Sequence, residues 1–191
     1  TTLQTQYSGS QVELDSLATS GQTWMMWMKH AQVDDAYVDT WDSDGVCVLD
    51  VGDQSTDNSQ SPRHVKGLRF IIQKPTTNQK SNFPDSSKIV SIAMPTGYSS
   101  RNFNMPNIDE WNHIAFVYND TSVGGSRMSF YLNGERQFRN LLQGGDGRSY
   151  RLNLNDTPIM LGGDYSNTHT KFSGSIAEFA VFTGSLTESD I

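Results

Sequence analysis

Glu110–Trp111–Asn112–His113–Ile114–Ala115–Phe116–Val117–Tyr118, followed by Ser129–Phe130–Tyr131–Leu132–Asn133–Gly134–Glu135, decides the fold. Each stretch has the period-two patterning of a half-buried strand, and Asn133–Gly134 is the strongest short turn signal between strands. Working outward, strands are expected at Gln11–Leu14, Trp24–Lys29, Val46–Asp50, Gly67–Lys74, Lys88–Met94, Tyr150–Leu154, Pro158–Gly163 and Ser175–Phe182. Long polar loops separate them at Asp34–Gly45, Gly52–Pro62, Thr76–Ser87 and Pro95–Ile108. Only Ser185–Ile191 hints at a helical period. Short strands divided by Gly, Asn, Ser and Pro turns indicate an all-β, antiparallel β-sandwich, a single domain over residues 1–191.

The bulk numbers fit. A chain of 191 residues with four Trp, seven Tyr and nine Phe can fill one large sandwich core. A net charge of −7, with only 14 scattered Lys and Arg, argues against nucleic acid and anionic membrane surfaces as partners. No stretch approaches the roughly 20 apolar residues that a membrane-inserted helix needs. Cys47 is the only cysteine, so no intrachain disulfide can form, and its apolar surroundings predict a buried, inert thiol. The chain starts Thr-Thr-Leu-Gln without a signal peptide and reads as a processed protein or an excised domain.

Four segments in order resemble the laminin-G-like, concanavalin-A-like jelly rolls. Thr23–Trp24–Met25–Met26–Trp27–Met28–Lys29 is similar to their early "aromatic–x–x–Trp–x–Lys" strand, and Trp111 to Gly134 to their central hairpin. Ile159–Met160–Leu161–Gly162–Gly163 is similar to the "Ile-x-Leu/Ile-Gly" strand. Phe172 to Phe179, with Leu186 to Ile191, resembles the closing "Phe-x-Gly-x-Ile-Asp-Glu" strand and its terminal turn. The resemblance implies a jelly-roll sandwich of the kind that binds sugars and other extracellular ligands. Ala177 stands where the family often has Asp, so any role of that aspartate is absent. Pentraxin relatives carry His-x-Cys beside the central Trp, whereas Trp111–Asn112–His113–Ile114 stands here, so no pentraxin calcium ligands carry over.

Catalysis finds little support. Related glucanases use Glu-x-Asp-x-x-Glu to set two acids about the glycosidic bond, and that pattern is absent. Asp109 and Glu110 are adjacent and would face opposite sides of a strand. Asp50 and Asp53 read as acids framing a strand end. His30, His64, His113 and His169 show no metal-ligand spacing, and His113, on the same side as Trp111, reads as structural.

Binding features lie in the loops. Trp41, Tyr98 and Tyr165 could offer aromatic faces to a sugar ring, with Asp164, Asn167 and His169 as polar partners. Trp24, Trp27 and Trp111 are strand residues and are expected in the core. Asp42 and Asp44, before Gly45, resemble the start of a calcium loop, although no closing glutamate completes an EF-hand; Asp164 is a second candidate ligand for Ca2+. Asn119 and Asn155 head Asn-x-Thr glycosylation sequons. The sequence therefore reads as a non-enzymatic recognition or adhesion module outside the cell, with carbohydrate or glycoprotein as the leading partner and calcium as the candidate bridge. The competing reading is an assembly subunit of a cell surface, filament or virus particle, contacting neighbouring protein subunits.

Overall fold

A computed structural model of the chain describes residues 21–30, 46–57, 63–73, 88–93, 102–105, 109–119, 127–141, 150–152, 159–163 and 170–191. Among the described residues there is no helix. The strands are β1 (Gln22–His30), β2 (Val46–Asp57), β3 (Arg63–Gln73), β4 (Lys88–Ala93), β5 (Asn102–Met105) and β6 (Trp111–Asn119). They continue as β7 (Arg127–Leu132), β8 (Glu135–Leu141), β9 (Tyr150–Leu152), β10 (Ile159–Leu161), β11 (Thr170–Lys171) and β12 (Gly174–Thr183). One sheet runs β12-β1-β6-β7-β8, all antiparallel. The other runs β10-β2-β3-β4-β5, with β11 pairing β2 and β9 pairing β3 in parallel. The expected β-sandwich is present.

Alternation fills the core from both sides. Trp24, Met26 and Met28 of β1 and Ile114, Phe116 and Tyr118 of β6 point inward against Leu68, Phe70 and Ile72 of β3. Burying each such side chain stabilises the fold by about 1.5–3 kcal/mol. Three phenylalanines join the sheets: Phe70 meets Phe116 edge-on at 5.2 Å and stacks over Phe130 at 6.1 Å. The indole N–H of buried Trp24 donates to Gln22 Oε1 at 3.0 Å, which meets the polar need of an interior tryptophan.

Two bulges keep the pattern in phase. In β2 the register with β3 shifts between Cys47 and Leu49, so that Val48 and Leu49 both enter the core. In β12 it shifts opposite β1: Met25 faces Ala180 while Trp27 faces Ala177. One residue of β1 then opposes two of β12, and Glu178 takes a left-handed φ of 51°.

Several expectations change. The Pro95–Ile108 loop contains a strand, β5, because Asn102–Met105 pairs with β4. β2 runs on to Asp57 and β3 begins at Arg63, so polar residues expected in the Gly52–Pro62 loop extend the ladder instead. Asp50 does not frame a strand end. It is buried within β2, opposite Arg69, whose guanidinium donates to both carboxylate oxygens at 3.2 and 3.4 Å. Ser185–Ile191 forms turns, closed by Asp190 N–H donating to Thr187 O at 3.0 Å, and no helix. Cys47 is buried, as expected. The strand expected at Gln11–Leu14 lies outside the described residues.

Candidate functional site

The outer face of the five-stranded sheet carries the opposite set of the alternation: Met25, Trp27 and Lys29 on β1, and Trp111, His113, Ala115, Val117 and Asn119 on β6. The C-terminal segment divides this face in two.

Over one half the chain turns back after β12. Gly184 N–H donates to Gly21 O, and Leu186 N–H donates to Thr23 Oγ1 at 2.9 Å, which in turn donates to Gly184 O at 3.0 Å. Ile191 and Met25 then pack on Ala115, Val117 and Tyr131, which are buried although they face away from the core. Gly21 makes the close approach feasible: its φ is +112°, and a Cβ there would meet Ser185 Oγ and Tyr118 O at 2.7 Å. A groove of about 300 Å³ runs beside the segment, lined by Asn119, Ser129, Tyr131, Arg136 and Glu188 among others. Arg136 and Glu188 pair across it at 3.3 Å.

Among the described residues nothing crosses the other half, here called the bare half. Trp27 is 37% and Trp111 47% exposed. Both were expected in the core, and the structure corrects this: each shares the outward parity of its strand, while Trp24 alone of the three is interior. Trp27 lies directly opposite His113, and Lys29 opposite Trp111, so the two indoles sit on a diagonal of adjacent strands. Diagonal neighbours of this kind are about 7–8 Å apart at Cα, within reach of one ligand. The His113 ring, 8% exposed, lies 5.1 Å from Trp27 at 51° and supports it from the side. Burial lowers the His113 pKa, and the negative charge of Glu178 partly offsets this.

The Asn133–Gly134 turn does more than join β7 to β8. Its φ values of 52° and 79° are those of a primed hairpin turn. Asn133 Oδ1 accepts from His113 N–H at 2.8 Å, Asn133 N–H donates to His113 O at 2.8 Å, and its amide N–H donates to Asn112 Oδ1 at 3.2 Å. The turn thus locks the start of β6, and with it Trp111 and His113, to rigid backbone. At the neighbouring strand Glu178 is exposed beside the partner of Trp27, in a conformation that costs a non-glycine residue about 1 kcal/mol.

Of the residues expected in a site, Asn119 ends β6, half-buried against the groove. Trp41, Asp42, Asp44, Tyr98, Asn155, Asp164, Tyr165, Asn167 and His169 lie outside the described residues. Their flanks are informative. His30 and Val46 flank residues 31–45, and Gly163 and Thr170 flank 164–169. These flanks share one rim: Phe172, beside β11, packs edge-on against the His30 ring at 5.5 Å, and β11 pairs the start of β2. Trp27 and Trp111 lie toward the same rim. Ala93, which pairs Arg69, and Asn102, which pairs Ser91, flank the segment that holds Tyr98. Among the described residues no group of three or more His, Cys, Asp or Glu could hold a metal.

The chain belongs to the concanavalin A-like lectin/glucanases superfamily, whose Laminin_G_3 family model matches residues 4–191. It is similar in fold to the CBM40 of Ruminococcus gnavus IT-sialidase bound to alpha2,3 sialyllactose, with a TM-score of 0.53 and 15% identity over 92% of this chain and 83% of that one. The NanB sialidase from Streptococcus pneumoniae gives 0.50 and 18%, over 93% of this chain and 24% of that one. A leech intramolecular trans-sialidase gives 0.51 and 13%, over 92% and 23%. The chain therefore spans about a quarter of those two sialidase chains. Curated protein sequences contain no match.

Proposed function

We propose that this lectin-like domain is a non-catalytic carbohydrate-recognition module whose described contact surface is the bare half of the five-stranded sheet. One observation carries the reading: Trp27 and Trp111 are exposed on a diagonal of two rigid strands, with polar groups at their edges. Flat indole faces suit the apolar side of pyranose rings, and Lys29, Glu178 and His113 stand near enough to address hydroxyls. Exposing two tryptophans on a well-ordered strand face is otherwise costly.

The rim segments extend the proposal. Trp41, Tyr98, Asp164, Tyr165, Asn167 and His169 are the further ligand contacts of this reading, and Asp42, Asp44 and Asp164 are its candidate calcium ligands. Placement at a cell or virion surface, or outside the cell, and glycosylation at Asn119 and Asn155 belong to the same reading.

The test is a glycan array probed with the wild-type chain, Trp27→Ala and Trp111→Ala, each with and without a calcium chelator. Binding lost in both variants supports the platform, and loss on chelation adds the metal. A blank array, together with self-association in size-exclusion chromatography that both substitutions abolish, would move the assignment to an assembly subunit. Phe182, 40% exposed on edge strand β12, is the observation that favours that second reading.

A further inference from the structure

We infer that Glu178 sets the ligand class of the bare half as uncharged glycans and rejects acidic sugars. The inference rests on the carbohydrate reading above.

It starts from strand parity. Ile176 faces the core, so strict alternation would carry Glu178 inward and turn Phe179 out. The bulge opposite Met26 reverses this. Phe179 packs on Trp24 at 6.1 Å between ring centres, and Glu178 stays exposed. A left-handed position of this kind favours Gly or Asn, yet it holds a full negative charge. Such strained residues concentrate where a ligand is met. The charge reaches the aromatic site, since Glu178 acts on the His113 imidazole that lies against Trp27.

Its surroundings reinforce the sign. Exposed Asp109 and Glu110 lead into Trp111, and Lys29 is the one cation on the outward positions of β1 and β6 near the tryptophans. Among the described residues three carboxylates stand here against one ammonium, and on a chain of net charge −7 this balance repels a ligand carboxylate or sulfate. A carboxylate is also an acceptor-only group that can take hydrogen bonds from two sugar hydroxyls. The arrangement therefore matches hydroxyl donors on a neutral ring.

The test uses paired probes on a shared core, lactose and α2,3-sialyllactose, titrated at low ionic strength where screening is weakest. Wild type is expected to bind lactose at least about fivefold more tightly than its sialylated partner, the scale of one exposed like-charge contact. Glu178→Gln, which keeps the shape and removes the charge, should narrow that gap about threefold. Glu178→Asn, suited to the left-handed backbone, should do the same and guards against a folding defect. Trp27-dependent binding with an equal or reversed preference, or a gap unchanged in both variants, overturns the inference and leaves the carbohydrate reading standing. No binding of either probe by folded protein, with a blank array, overturns both.

Discussion

β6 presents two different surfaces on one face. Toward its start stand Trp111 and His113; toward its end stand Ala115 and Val117. The small pair lies beneath the C-terminal segment and is buried, whereas Trp111 is 47% exposed. Side-chain size follows cover. Where a segment must pass close over a sheet, small residues leave room; where no described residue passes, bulky aromatic surface stands exposed. An outward position on a strand is thus not one environment, and what crosses it decides whether it forms a second core or stays exposed.

The largest effect is expected where the covered half is pried open. Gly21→Ala places a Cβ 2.7 Å from Ser185 Oγ and Tyr118 O at a φ of +112°, and should destabilise the fold by about 3 kcal/mol in chemical denaturation. An unchanged midpoint would mean that the segment is not seated as described. Ala115→Trp would copy the bare half into the covered one. Overpacking beneath Ile191 should cost about 1–3 kcal/mol.

The reverse substitutions sharpen the contrast. Trp27→Ala or Trp111→Ala should cost stability by about 1–3 kcal/mol, less than truncating the interior Trp24, since both rings are already partly hydrated. Glycan binding should fall about tenfold or more in each, as for an aromatic anchor at a contact centre. Unchanged glycan binding by the folded variants would show that the two rings only pack against the sheet.

A smaller effect concerns pH. The folded protein holds His113 below its ordinary pKa of 6.5, with burial as the main cause. Between the lowered value and 6.5 the unfolded chain binds more protons, so stability is full above 6.5 and declines as pH falls through that window. His113→Phe should flatten this part of the thermal-melt profile, and Glu178→Gln should deepen it. The Asp190 carboxyl is also held low, by hydrogen bonds from Thr187, and its contribution fades only at more acidic pH. The smallest effect belongs to Arg136 and Glu188. Both are well exposed, so a double-mutant cycle should return no more than about 0.5 kcal/mol.

Much of this was legible in the sequence. The period-two runs at 24–29 and 111–118, with Asn133–Gly134, identify the strands and turn that carry the five-stranded sheet. The motif order led to the right superfamily. The ends of β2 and β3 and the whole of β5 were not legible, because polar strands at a sheet margin are specified by the neighbour they pair with and not by their own hydrophobicity. Asp50 looked like a turn acid because nothing local reveals Arg69, nineteen residues on, as its cross-strand partner.

By itself, then, the sequence determined that β1 and β6 each have two faces. Trp24, Met26 and Met28 alternate with Met25, Trp27 and Lys29, and Ile114, Phe116 and Tyr118 alternate with His113, Ala115 and Val117. It did not determine which face is interior, because both carry bulky apolar side chains and alternation has no sign. Only the tertiary structure decided that. The second sheet claims one face, the C-terminal segment covers half of the other, and the β12 bulge turns Glu178 outward beside the tryptophans left uncovered.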